Sequence, residues 1–253
     1  MRSRWSEKIK QLVRPAWYKL FNSSRTPYTC PICGYKGPFK DKFVRPEPRT
    51  IRTDSKCLGC GSTERHRLIH LVMNDLAKTE NFKKKTVLHI APEDCLGDQL
   101  KSLFGGYETA DLFMKGVDHK EDLQNMSFPD ATYDWVVISR VLTEPPLLEP
   151  CLNELRRILK PGGAAVVAEI FTHEKTVEFG KIINERAREI GVDLLDMLRE
   201  RFTSLDLLKG DRYPAEYQLM NRIVVEGEMK DDFPEEIREP GVGFKDMIVI
   251  ARV

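Results

Sequence analysis

From residue 86 onward, short apolar runs alternate with amphipathic stretches, and this constrains the fold more than any other feature. Apolar runs at 87–91, 107–111, 134–139 and 164–170 read as strands, and helices are expected at 95–104, 148–160 and 174–190. Strands of this length alternating with helices predict a parallel sheet covered by helices on both faces. The end differs: "YQLMNRIVVEGEM" and "GFKDMIVIARV" read as two strands with no clear helix between them, expected to pair antiparallel. The first strand runs into "VLHIAPE", where Ala91-Pro92-Glu93 occupies the turn that usually carries glycines in nucleotide-binding α/β domains.

The front of the chain follows other rules. Cys30-Pro31-Ile32-Cys33 and Cys57-Leu58-Gly59-Cys60 are two CxxC hooks separated by 23 residues. Residues 27–61 are too few to build a core and need a staple. Four thiolates in two hooks suit a closed tetrahedral zinc site, structural because no coordination position stays open. Gly34 and Gly61 follow the hooks and ease the turns. A helix is expected from Ser62 through "STERHRLIHLVMNDLAK", with Leu68, Leu71, Val72 and Leu76 on one face. His66 and His70 are i, i+4 on it and read as helix surface, one partly buried. Arg65-His66-Arg67 opens this helix against its dipole, so these side chains either grip a phosphate or carboxylate or pair with acids of the neighbouring domain.

Composition sharpens this division. The chain of 253 residues has net charge +1, but residues 1–80 hold 17 Lys/Arg against 7 Asp/Glu, leaving 23 against 32 for the rest. The basic front suggests an anionic partner: a phosphorylated substrate, RNA or a membrane surface. Residues 1–22, within a basic segment 1–26, combine Trp5, Ile9, Leu12, Trp17 and Phe21 with six Lys/Arg. Peripheral membrane contact there is the less favoured reading, because Pro15 interrupts the amphipathic face. No apolar run is long enough to span a bilayer, and no h-region of a secretory signal is present. With the paired thiols, this sets a cytoplasmic expectation.

Three further pieces complete the pattern. "YETADLF" ends a strand at Asp111; "FPDATYD" precedes the next; "ELRRILKPGG" leads into the last. In this order, Phe128-Pro129-Asp130, Tyr133-Asp134 and Glu154-Leu155-Arg156 through Gly163 resemble a class I S-adenosylmethionine-dependent methyltransferase of the methyltransferase 11 type. Cys60-Gly61-Ser62 with Arg65-His66-Arg67, and Leu88-His89-Ile90-Ala91-Pro92-Glu93, resemble a subgroup with an N-terminal four-cysteine zinc ribbon and an LHxAPE first-strand motif.

The resemblance implies an α/β, Rossmann-like sheet, mostly parallel with an antiparallel C-terminal strand, spanning 86–253 behind a ribbon-plus-helix module at 27–80. It implies S-adenosylmethionine as cofactor beside structural Zn(2+). Ala91, Pro92 and Glu93 would lie near the methionine end, Asp111 at the ribose hydroxyls, Asp122 and Leu123 at the adenine, and Ser139 at the fourth strand end. Cys30, Cys33, Cys57 and Cys60 would be the metal ligands. No catalytic residue is assigned, although Glu144 and His173 are expected near the strand ends. The family's acceptor-side "nHvLEHv" is replaced by "ISRVLTEPP", with Arg140 in place of its histidine. The expected acceptor is an anionic small molecule or glycan precursor. Two rival readings are an RNA methyltransferase that binds through the ribbon and a methyltransferase-like scaffold without activity. The ribbon offers only Tyr28, Tyr35, Phe39 and Phe43 for base stacking.

Overall fold

The computed structural model describes residues 17–230 and 232–253, and the side chain of Arg45 is not described. Most of the 1–22 segment lies outside these residues; 17–21 are helical, with Trp17, Leu20 and Phe21 exposed.

The ribbon begins with β1 (Tyr28–Thr29) and β2 (Lys36–Gly37), which pair around the first hook. Next come β3 (Lys40–Arg45), β4 (Thr50–Lys56) and helix α1 (Glu64–Leu76). Then β5 (Thr86–Ile90), α2 (Asp94–Leu103), β6 (Gly106–Ala110), β7 (Tyr133–Ser139), α3 (Leu148–Arg157) and β8 (Leu159–Glu169) follow the expected alternation closely. The chain continues through β9 (Val177–Ile183), β10 (Arg186–Glu189), α4 (Leu194–Arg199) and β11 (Ser204–Lys209). It ends with β12 (Met220–Val225), β13 (Glu228–Met229), β14 (Arg238–Glu239), β15 (Gly243–Lys245) and β16 (Met247–Arg252).

The central sheet has the order β11-β16-β8-β7-β5-β6. Strands β5 to β8 are parallel, and β16 inserts antiparallel between β8 and β11. Alternate residues serve opposite faces, as a pleat requires. Val87, Trp135 and Val137 pack with Leu68, Val72, Leu96 and Leu100 of α1 and α2. Leu88, Val136 and Ile138 pack with Leu152, Leu155, Leu194 and Leu198 of α3 and α4. A second sheet, β14-β15-β12-β4-β3, joins the C-terminal part to the ribbon's flank through β12 and β4.

Two expectations need correction. Residues 174–190 form no helix but the β9–β10 hairpin. Asn184 and Glu185 take φ +49° and +66°, the two left-handed residues of a primed hairpin turn, and Gly180 with β-branched Thr176, Val177, Ile182 and Ile183 disfavours a helix. The two terminal stretches pair only where Met220 and Asn221 meet β15; β16 belongs to the central sheet instead. Its run Met-Ile-Val-Ile-Ala is buried on both faces, which only a central strand position satisfies.

The residues behind the family resemblance hold this frame. Asp134 accepts from the Thr86 amide and hydroxyl and from Lys160 Nζ, all at 2.9 Å. Glu154 accepts from the Met126 amide at 2.7 Å and Arg157 Nε at 2.7 Å. Gly162, at φ +75°, lies in a bulge of β8 where Tyr133 faces Leu159 and Trp135 faces Ala164.

Candidate functional site

Strand order reverses at β5: the chain goes to β6 on one side, then returns to β7 on the other. The crevice outside the carboxyl ends of strands at such a switch is where open α/β sheets bind ligands. Five of the seven residues expected at the cofactor, Ala91 to Glu93, Asp111 and Ser139, lie at or just past these ends; Asp122 and Leu123 follow in the loop after β6.

Ala91 has φ +49°, the conformation a glycine would supply, and its amide donates to Ala110 O at 2.9 Å. The nucleotide-fold turn is thus kept without the glycine, with about 1 kcal/mol of strain. Asp111 Oδ1 accepts the amides of Phe113 and Met114 at 2.7 and 2.5 Å, and Oδ2 has no partner among the described residues. Asp122 accepts from the Gln124 amide at 2.9 Å, while Leu123 is buried in the core.

Glu93 sits among bases. Its Oε2 is 3.0 Å from His89 Nε2, and its Oε1 is 3.3 Å from His66 Nε2 and 3.4 Å from Arg65 Nη2. Burial alone would raise its pKa, but these histidine contacts and the Arg65 charge hold it far below the usual carboxylate range. Burial lowers the His66 pKa, and His66 Nδ1 accepts the Thr63 amide, which leaves the proton of the neutral ring on Nε2, near Glu93 but without a hydrogen-bond partner among the described residues. Arg65 Nε donates to Ser139 Oγ at 3.0 Å. The first turn of α1 is thereby fastened across the ends of β5 and β7. Arg67 does something else: wholly buried, it donates to the carbonyls of Ser55, Ser62, Tyr217 and Gln218 and lies 4.6 Å over the Phe39 ring.

Sequence reading missed other groups. Glu169, at the end of β8, is buried; Oε1 accepts the Leu142 amide at 3.0 Å and Oε2 has no partner among the described residues. Burial pushes its carboxyl up to about 7, suited to proton exchange near neutrality. Lys42 and Arg52 face each other across β3 and β4, and Arg140 follows Ser139 with φ +59°. The altered 140–146 loop is ordered by buried Arg188, which donates to the carbonyls of Leu142, Pro145 and Pro146. Glu144 is pushed up by burial and by Asp111, and His173 pairs with Glu189 at 2.8 Å.

In the ribbon, all four cysteine sulfurs lie within 4.8 Å of one another. Cys30 to Cys60 is 3.7 Å and Cys33 to Cys57 is 3.6 Å. Four sulfurs at 2.3 Å from one tetrahedral ion would be about 3.8 Å apart, so the cluster fits zinc. Gly34 (φ +72°) and Gly61 (φ +74°) return their amides to Cys30 O and Cys57 O at 2.9 and 3.0 Å. Ser62 Oγ is 3.2 Å from Cys60 Sγ, and the Gly59 amide donates to Cys57 Sγ at 3.3 Å.

Comparison with known proteins falls on the same strands. A family model described as a methyltransferase domain matches residues 106–167. A hybrid PKS-NRPS synthetase, xenE, of Xenoacremonium sinensis is 28% identical over 55% of this chain and 3% of its own length. A sterol 24-C-methyltransferase of Eremothecium gossypii is 37% identical over 30% of this chain and 19% of its own. The chain therefore spans less than a fifth of either relative. A SAM-dependent methyltransferase structure from Archaeoglobus fulgidus aligns over 74% of this chain and 94% of that one, at 15% identity and TM-score 0.48. No described helix is long and apolar enough to cross a membrane. The match to the methyltransferase model runs from β6 through most of β8.

Proposed function

We propose that this protein transfers a methyl group from S-adenosylmethionine to a small anionic acceptor, with the four cysteines holding a structural zinc. The observation that carries this reading is Asp111, at the end of β6 beside the switch point, with Oδ2 free to accept from a ribose while Oδ1 fixes its loop. The left-handed Ala91 lets the backbone pass close to a ligand; Asp122 and Leu123 would take the adenine, and Ser139 would line the crevice. Glu93, held ionised, favours an ammonium group nearby.

When bound, the cofactor supplies an already activated methyl on a sulfonium. The chain has to align the nucleophile for in-line displacement and exclude water. A proton released by the acceptor has a receiver in Glu169. Zinc would fasten the ribbon that brings β3 and Arg65 to the strand ends. The CGS-xx-RHR and LHxAPE motifs support a subgroup in which ribbon and turn act together, since Arg65 and His66 both reach Glu93. The rival reading of RNA binding through the ribbon has less support, because Tyr28 and Phe39 are buried within it.

Calorimetric titration with S-adenosylmethionine tests this. Micromolar binding that Asp111→Ala weakens tenfold, about 1.4 kcal/mol, is expected. Absence of binding to the folded, zinc-loaded wild type would leave only a scaffold.

A further inference from the structure

Four cations from four elements are linked through neighbouring contacts: Lys42 lies opposite Arg52, Arg52 bonds Glu64 beside Arg65, and Arg65 bonds Ser139, which Arg140 follows. Lys42 of β3 stands opposite Arg52 of β4 in register. Like charges placed directly across a ladder repel. Arg52 is taken by Glu64 at 2.5 Å and by Asn221. Arg65 is held by Ser139 and, more loosely, by Glu93. Glu93 is already shared with His66 and His89. The side chains of Lys42 and Arg140 have no hydrogen bond or ion pair among the described residues, although the Arg140 amide donates to Ala168 O. The remaining acid nearby among the described residues is Glu169, buried, with its carboxyl pushed up to about 7.

Both unpartnered cations carry the mark of this crowding. Lys42 is pushed down to about 8 by burial and by Arg52, Arg140 and Arg65. Arg140 is pushed down to about 10 by burial and by Arg65 and Arg52. Arg140 is also kept in a left-handed backbone conformation at the strand end. Two half-buried cations whose side chains meet no acid leave a place for an anion that is not the protein's own.

We propose that Lys42 and Arg140, with Arg65 behind them, form a subsite for a phosphate group on the methyl acceptor. This rests on the methyl-transfer reading and names the acceptor's class. Charge decides between phosphate and carboxylate. S-adenosylmethionine carries a net positive charge, two cationic centres against one carboxylate, so its binding adds to the excess. A carboxylate brings one negative charge; a phosphomonoester brings about 1.5 to 2 at pH 7. Arginine meets phosphate oxygens in bidentate fashion and lysine as a point charge. The subsite would anchor the acceptor by its non-reacting end and leave the nucleophile to be aligned with the methyl.

The probe is inorganic pyrophosphate, titrated into zinc-loaded protein with and without S-adenosylhomocysteine. Wild type is expected to bind it, and Lys42→Met and Arg140→Met are each expected to weaken binding at least tenfold. Lys42→Arg should retain it, and the remote control Lys230→Met should leave it unchanged. Without anion, Lys42→Met should melt at or above the wild type because a repulsion is removed; a merely structural lysine would give a lower melting temperature. Should Arg140→Met fail to fold, the Lys42 pair carries the test. Equal pyrophosphate affinity in wild type and Lys42→Met overturns the proposal, as does malonate binding as tightly as pyrophosphate. Pyrophosphate binding by a protein that ignores S-adenosylhomocysteine would sink the methyl-transfer reading and leave the anion subsite standing.

Discussion

The ribbon and the strand-end crevice are both built around polar groups, and they treat them in opposite ways. Around the four cysteines the polar groups are closed in: hooks return their amides to their own carbonyls, Ser62 and Gly59 face the sulfurs, and Arg67 spends its donors on four backbone carbonyls. At the strand ends the groups are left open. Among the described residues, Asp111 Oδ2, Glu169 Oε2 and the side chains of Lys42 and Arg140 are unmatched, and Ala91 and Arg140 hold left-handed backbone. Such strain and unmatched charge persist only where the surroundings enforce them, and they cluster at functional sites. The first region is organised for stability and the second for a ligand that completes it.

Breaking the closed region should have the largest effect. Removing zinc by chelation, or Cys57→Ser, should unfold the ribbon, since structural zinc is worth about 10 kcal/mol or more in small modules. Limited proteolysis should then cut within 27–61; an unchanged melting curve would contradict a structural metal. Next comes Arg67→Met, which strands four buried carbonyls. A loss of about 3–5 kcal/mol in denaturant unfolding is expected. A loss under 1 kcal/mol would mean that Arg67 is no clamp.

The open region should respond in the reverse sense. Glu169 titrates near 7 when folded against about 4.5 when unfolded, so its burial costs nothing below pH 4.5 and up to about 3 kcal/mol once pH has risen through 7. Stability measured from pH 4.5 to 8 should therefore fall in wild type relative to Glu169→Gln. Parallel curves would show that the carboxyl is not strained. The smallest effect expected is Ala91→Gly, a gain of about 0.5 kcal/mol from relief of the left-handed alanine, offset by the freer unfolded chain.

Legibility in the sequence divides along the same line. Strands β5, β6, β7 and most of β8 were readable because each is a short apolar run between turn residues. The cysteine hooks were readable because their spacing has few other uses. The β9–β10 hairpin was not, since "TVEFGKIINERAREI" mixes charged residues at helical spacing with β-branched ones, and only the Asn184–Glu185 turn decides. The second sheet was hidden because β4 and β12 are more than 160 residues apart in the chain. So was the cation cluster: Lys42, Arg65 and Arg140 have no relation in sequence and meet only when ribbon, helix and strand ends are assembled.

The most direct test is a crystal structure of the zinc-loaded protein with S-adenosylhomocysteine. The account predicts the ligand across the carboxyl ends of β5, β6 and β7, with its ribose hydroxyls on Asp111 Oδ2 and its backbone approach at Ala91. A ligand bound elsewhere, or a well-ordered crevice that stays empty at saturating ligand, would contradict it.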